Sequence, residues 1–268
     1  MAKQRANLKT MDAKEQLYGF RLTRSRVIRI ILGYEIGVFL FAYILYGPNN
    51  PWWIVGWMAL AALYIYKKML PRKIEADYQR RAEVQRNRFI NIVTQGMTTK
   101  HANIVAVLRR ASTKADGEFK RDLMALIAVI MSADNYKELH AAFVKLQKKY
   151  EYDIYFTLFM EQVETVVHES IYHIETFKTF KNSSNTILMK EKEFIQKKKQ
   201  VQKNMIVMAG ISCFTNAICL MMPGYQKYLT VYADTMGGVI VSTVYLVAIA
   251  TIINGFYKRF YDDNVTHF

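Results

Sequence analysis

A carboxylate inside an apolar run is the residue whose type and place most invite chemistry. Glu35 lies between Gly33 and Gly37 in the otherwise uncharged stretch 30–46. At 1.5 Å per helical residue it sits about 8 Å past Ile30. An acid at membrane depth marks an ion path, a proton site or a polar contact between helices. On a helix Gly33 and Gly37 share one face, and Glu35 projects from the opposite face. The Gly-x-x-x-Gly spacing lets a second helix approach closely. A packing or assembly role for Gly33, Gly37 and Glu35 is therefore the first reading, with ion transport second. Asn216, in a later apolar run, is read as an interhelical hydrogen-bonding residue.

The other reactive side chains make no catalytic constellation. His101, His140, His168 and His173 are scattered. His168 and His173 are five apart, off the i,i+4 spacing of a helical zinc pair, and no His-Glu-x-x-His occurs. His168-Glu169 is read as solvated helix surface. Cys213 and Cys219, the two cysteines, are six apart in an apolar run, so they point to different faces of one helix and cannot bridge within it. Packing is their expected role, not metal ligation. No phosphate loop, dinucleotide fingerprint or Gly-x-Ser-x-Gly elbow is present. No catalytic residue, metal or cofactor is assigned, and the chain is not expected to be an enzyme. Any energy input must come from another protein.

The elements that must position these residues are set by hydropathy. Four apolar runs, 30–46, 52–70, 205–222 and 237–257, come in two pairs, each joined by a short loop with Pro and Gly. Each is near the 17–25 residues a span needs, the second provided that Lys67 and Lys68 snorkel. Trp52, Trp53, Trp57, Tyr43, Tyr46, Tyr64 and Tyr66 supply interfacial aromatics. The first run follows a polar segment and has no small-residue cleavage site, so it reads as a retained anchor. The expected organisation is a basic cytoplasmic tail (1–29), a transmembrane hairpin (30–70), a cytoplasmic helical bundle (71–204), a second hairpin (205–257) and a short tail (258–268).

Charge gives the orientation. The chain carries 37 Lys and Arg against 22 Asp and Glu, a net charge of +15. Arg21, Arg24, Arg26 and Arg29 precede the first run. Lys67, Lys68, Arg72 and Lys73 follow the second, Lys197, Lys198, Lys199 and Lys203 precede the third, and Lys258 and Arg259 follow the fourth. The loop 47–51 has no charge, and 223–236 holds only Lys227 and Asp234. Both termini and the central domain are therefore expected in the cytoplasm. The excess charge is read first as this positive-inside bias plus attraction to anionic lipid. Docking of an acidic partner is the sharper alternative. Nucleic-acid binding is not expected, since no recognition motif accompanies the charge.

The central segment reads as helix nearly throughout, making the chain all-α, with a bundle of about six helices. Ile104, Val105, Leu108 and Ala111 form one apolar stripe. Phe119, Leu123, Leu126, Ile127 and Ile130 form a second, and Leu139, Phe143, Leu146 and Tyr150 a third. A longer helix is expected over about 152–180, and another from about Ser184 into the third span. Thr98, Asp116 and Asp134 are the expected N-caps.

The order of these features resembles the type II secretion system F domain family. Residues 88–205 carry the resemblance. A helix over 89–95 ends in Gly96-Met97 and is followed by an amphipathic helix over 102–111. The turn Met131-Ser132-Ala133-Asp134 precedes a helix with Leu139, Ala142 and Phe143. Val163-Glu164 to Glu169-Ser170 takes the place of the family's acidic long helix, and the basic stretch 190–203 feeds the next span. The family's usual glycines at the second turn and long helix are replaced here. The domain occurs once, between two pairs of spans, which is most similar to the Tad-type branch. The resemblance implies a platform protein in a bacterial inner or plasma membrane, serving a type IV pilus, Tad-type or type II secretion-like machine. It implies a cytoplasmic secretion ATPase and pilin-like subunits as partners, and self-association into a homo-oligomer. Arg80, Arg81, Arg86, Arg109, Arg110, Lys197, Lys198 and Lys199 are the candidates for docking the partner. A small channel or transporter with a regulatory cytoplasmic domain is the alternative.

Overall fold

The computed structural model describes residues 24–99, 103–169 and 173–261. Residues 1–23 of the basic tail, His101, Ala102, Ser170 and the end of the C-terminal tail lie outside them. All regular structure among the described residues is helical. The chain divides into two compact units. One holds described residues up to Ile74 together with those from Gln196 onward, and the other runs from Glu75 to Ile195.

Three of the expected apolar runs lie in helices long and apolar enough to cross a membrane. They belong to α1 (Arg24–Tyr46), to a 48-residue helix over Ile174–Met221, and to a helix over Met236–Phe260. The second run differs. It forms the 14-residue helix α2 (Pro51–Tyr64), followed by a π-helical turn over Ile65–Met69 and then α3 (Leu70–Met97) without interruption. Pro71 accounts for the turn. It cannot donate a hydrogen bond, and its ring crowds the carbonyl four residues back. The chain takes in one extra residue, and the Leu70 amide donates to the Ile65 carbonyl, five residues back.

In this first unit, Ala42, Leu45, Tyr46, Ile54 and Leu246 form a core. Leu32, Ile36, Leu60, Phe214, Val244 and Ile252 are among many large apolar side chains pointing outward. Water would penalise such a surface, whereas lipid solvates it.

The second unit is a helical bundle around an aromatic centre. After α3 come α4 (Ile104–Thr113), α5 (Gly117–Ser132), α6 (Tyr136–Lys149), α7 (Ile154–Glu169) and the start of α8 (Ile174–Met221). Phe89 of α3 meets Phe119, Phe156 and Phe159 edge-on at ring separations of 5.6, 6.1 and 6.1 Å. Phe159 meets Phe177 of α8 at 5.3 Å. These five rings are almost wholly buried. Each contributes about 1.5–3 kcal/mol of transfer free energy, with edge-to-face contact adding to it. Gly96 is required by a close approach, since a Cβ there would come within 2.5 Å of Val107 on α4.

The helix boundaries correct three expectations. The helix that starts at Ile154 ends at Glu169, not near Phe180, and α8 runs unbroken from Ile174 into the third apolar run. The α4 N-cap is Asn103, whose side chain accepts from the amides of Val105 and Ala106, while Thr98 instead closes the end of α3 by donating to the Gln95 carbonyl. Asn135, not Asp134, caps α6 by accepting from the Glu138 amide. Asp116 does stand at the N-cap of α5, although its side chain accepts from Gln85 and not from the helix. The loop 223–236 holds α9 (Tyr225–Tyr228) and a second π turn (Leu229–Ala233), leading into α10 (Met236–Phe260).

Candidate functional site

The candidate docking residues separate by environment. Arg86 is not a surface residue: only 3% of its side chain is exposed. Its Nε lies 2.6 Å from Asp153 Oδ2, and its guanidinium carbon lies 5.3 and 5.2 Å from the ring centres of Tyr150 and Tyr152. Asp153 also caps α7, its Oδ1 accepting from the Phe156 amide at 3.0 Å. Arg86 therefore holds the domain together and cannot reach a partner. Arg80 and Arg81, on the same helix, are half-buried.

Arg109 and Arg110 are exposed at the end of α4. Arg109 Nη2 donates to Met131 Sδ on α5 at 2.9 Å. That contact joins the arginines to an exposed face of α5. Arg121, Met124, Ala125, Ala128 and Met131 follow i, i+3, i+4, i+7 spacing, and all are exposed. The acids nearby are engaged on another side: Glu118 accepts from Tyr78, and Lys149 pairs with both Glu118 and Asp122. The result is a cationic face with flexible apolar methionines, the chemistry of an adaptable docking surface. Its two arginines are among the docking candidates of the sequence, whereas its methionines carry no signal there. The exposed spacing of Met124 and Met131 only becomes informative once the buried stripe of α5 is known.

Lys197 and Lys199 are exposed on α8 in the first unit. Lys198 folds back, donating from Nζ to the Phe260 carbonyl at 3.1 Å, so it satisfies the C-terminal end of α10.

A carboxyl pair joins α3 to α8 in the bundle. Glu83 is pushed up to about 8 by burial first, then by a hydrogen bond with Glu191 and by the charges of Glu191 and Asp153, with Arg86 opposing. Asn87 donates to Ser184 at 2.9 Å, and Asn91 and Asn185 exchange hydrogen bonds at 2.9 and 3.0 Å along the same seam. A cleft of about 20 Å³ opens beside Glu83, Asn87, Asp153 and Ser184, room for about one water. On α6 and α7, His140 Nδ1 lies 2.7 Å from Glu164 Oε1, and the Tyr136 ring lies 4.3 Å from that of His168. Among the described residues no group of three or more His, Cys, Asp or Glu is placed to hold a metal.

In the first unit, Glu35 is buried, and neither carboxylate oxygen has a hydrogen-bond partner. Gly33 and Gly37 face away from the rest of the unit, with nothing within 4 Å of where a Cβ would stand. Among the described residues, no helix packs against them. Asn216 donates to Tyr245 Oη at 2.9 Å and to the Ser212 carbonyl at 2.8 Å.

The loop ends of the two hairpins are stapled together. Asn49 donates to the Asp234 carboxylate at 3.0 Å and Asn50 to the Ala233 carbonyl at 2.9 Å. Tyr228 donates to the Ile44 carbonyl at 2.5 Å, and Ser242 to that of Leu45 at 3.2 Å. Trp57 Nε1 donates to Tyr46 Oη, itself 2.9 Å from Thr243 Oγ1.

The fold thus defines an all-helical protein with a membrane-compatible helical unit and a separate polar helical bundle. The chain is 30% identical over 263 residues to the uncharacterized protein pXO2-23 of Bacillus anthracis, covering 97% of this chain and 92% of that one, and it belongs to the same family. No family model matches the chain. No solved structure matches it.

Proposed function

We propose that the protein is an integral-membrane assembly platform with four spans, the short second run completing the first hairpin through its π turn. Residues 51–69 cover about 28 Å at 1.5 Å per residue, the thickness of a hydrocarbon core. The Lys and Arg flanks support an orientation with both termini and the bundle in the cytoplasm, and the membrane is then a bacterial inner or plasma membrane. The resemblance of residues 88–205 to the type II secretion F domain family supports a role between a cytoplasmic secretion ATPase and pilin-like subunits, in a pilus or secretion machine.

The observation that carries the reading is the way the chain leaves the bundle. It does so inside helices, through α3 and through α8, with no loop at either crossing. A partner gripping the bundle could therefore pull or turn the spans. The Arg109, Arg110 and Met131 face is the docking surface, and it suits an acidic, amphipathic element of the ATPase. The open Gly33 and Gly37 face suits contact with a second copy or with a subunit's helix.

The test is co-purification of the full-length protein with its neighbouring ATPase. Charge reversal at Arg109 and Arg110 should abolish it, whereas Lys197→Glu should leave it intact. Retention of the ATPase by the doubly reversed protein would overturn the assignment. A second reading, a small channel or transporter, is favoured by the unpartnered buried Glu35. It predicts ion flux in liposomes that Glu35→Gln removes.

A further inference from the structure

An open groove runs along the first unit between two helices. Trp57, Tyr64 and Lys68 line it from α2 and the π turn that follows, and Val247, Ala250, Thr251 and Asn254 line it from α10. Its volume is about 270 Å³. The α2 residues are seven and four apart and the α10 residues three, one and three, so each set forms one stripe parallel to its helix. From Trp57 to Lys68 the groove is about 16 Å long at 1.5 Å per residue.

Its polarity changes along that length. Val247 and Ala250 line it without any polar side-chain atom, and Trp57 turns its indole N–H away to Tyr46. Toward the other end, Tyr64 donates to Asn254 at 2.8 Å, and the Lys68 ammonium lies 5.9 Å from the Tyr64 ring centre. Lys68 is exposed, with Lys67 beside it on the π turn and Arg72 one turn on. An apolar channel with cations and an amphipathic aromatic at one end matches one occupant, a phospholipid with an anionic headgroup. π turns also recur where a helix serves a function beyond packing.

We propose that this groove holds an acyl chain of an anionic phospholipid, with Lys68 taking its phosphate. The proposal rests on the four-span reading, which puts α2 in the bilayer with Lys68 at the cytoplasmic interface. The ammonium supplies the headgroup preference. Ala250 and Thr251, with small side chains, leave the floor open to the chain.

Trp57 is placed to report occupancy. The full-length protein with Trp52→Phe and Trp53→Phe keeps Trp57 as its single tryptophan. It is reconstituted in mixed phosphatidylcholine and phosphatidylglycerol vesicles, with bromine on the acyl chains of one lipid at a time. Brominated phosphatidylglycerol should associate with the Trp57 site about five-fold more strongly than brominated phosphatidylcholine at low salt. Lys68→Gln should bring that ratio close to one without changing quenching by phosphatidylcholine, and Thr251→Leu should weaken quenching by both. Equal quenching by the two lipids before Lys68 is changed, or a preference that survives Lys68→Gln, overturns the headgroup assignment while leaving the spans in place. No quenching by either lipid removes α2 from the bilayer and overturns both readings. Efficient cross-linking between copies through Ala250→Cys would show the groove covered by a second chain and overturn the lipid.

Discussion

Arg86 of α3 and Asp153 at the start of α7 meet at 2.6 Å across 67 positions of sequence, in a place almost closed to solvent. The pair does more than neutralise charge. One carboxylate oxygen holds the guanidinium while the other caps a helix, and two tyrosine rings flank the cation. Removing the arginine would leave an acid with a buried, unmatched charge. Arg86→Ala is expected to cost the bundle about 3–5 kcal/mol, read as a lowered midpoint in urea. Arg86→Lys should recover only part of that, because an ammonium lacks the planar fork and stacking surface. Asp153→Asn, which keeps a capping oxygen, should cost less than Asp153→Ala.

Glu83 makes the stability of the bundle depend on pH. Burial and Glu191 raise its carboxyl from the ordinary value of 4.5 to about 8. The folded chain therefore binds a proton that the unfolded chain has released across that interval. Stability from this group is complete below 4.5 and is lost as the pH rises through about 8. Glu83→Gln should flatten the profile over this range and raise stability on its alkaline side by about 1 kcal/mol, a figure reduced for partial solvent screening. Thermal melts of both proteins across the interval check it. Parallel profiles would show that Glu83 does not carry the effect.

The stapled loops should govern how the hairpins resist heat in detergent. Asn50→Ala removes hydrogen bonds to the carbonyls of Tyr46 and Ala233 and should cost about 1–2 kcal/mol. Gly47→Ala should cost at least as much, since φ is +68° there and the added Cβ would lie 3.1 Å from both Ala233 and Leu229. Scanning fluorimetry of the intrinsic tryptophans, two of which adjoin this loop, provides the readout. Unchanged melting in Asn50→Ala would show that the staple contributes nothing.

Helix caps separate two sequence readings that look alike. Asn103→Ala should destabilise α4 by about 1 kcal/mol, whereas Thr98→Ala should leave that helix intact. Amide exchange at Val105 and Ala106, the two donors to the Asn103 side chain, distinguishes the two. Faster exchange in the Thr98 variant alone would reverse the assignment.

Periodicity made the bundle legible. Leu108, Phe119, Leu123, Phe143 and Leu146 repeat at helical spacing in the sequence, and all are buried. Local pattern could not reveal what lies far along the chain. Arg86 looks like any surface arginine until Asp153 arrives from another helix, and Asn49 and Asn50 look like a plain loop until Asp234 and Ala233 meet them. Thr98 and Asn103 both have capping side chains, and only the position of the helix start decides between them. Gly33 and Gly37 announce a face that a helix can approach, but spacing says nothing about which helix, and none among the described residues does. The π turn was written in the sequence as Pro71 following an apolar run, a cause that acts on the carbonyl four residues earlier and shows only in the backbone.

The length of α8 has a consequence for how this protein can vary. Phe177 is buried in the bundle, and Asn216 is hydrogen-bonded in the first unit. Between them lie 38 residues of one unbroken helix. The side chains over 190–204 are mostly exposed, so their identities can drift at little cost. Their helical propensity cannot. A proline in the middle of the stretch would remove an i→i−4 hydrogen bond and crowd the carbonyl four residues back, at a cost of about 3 kcal/mol. Sequence here is free to change among the residues that keep a helix going.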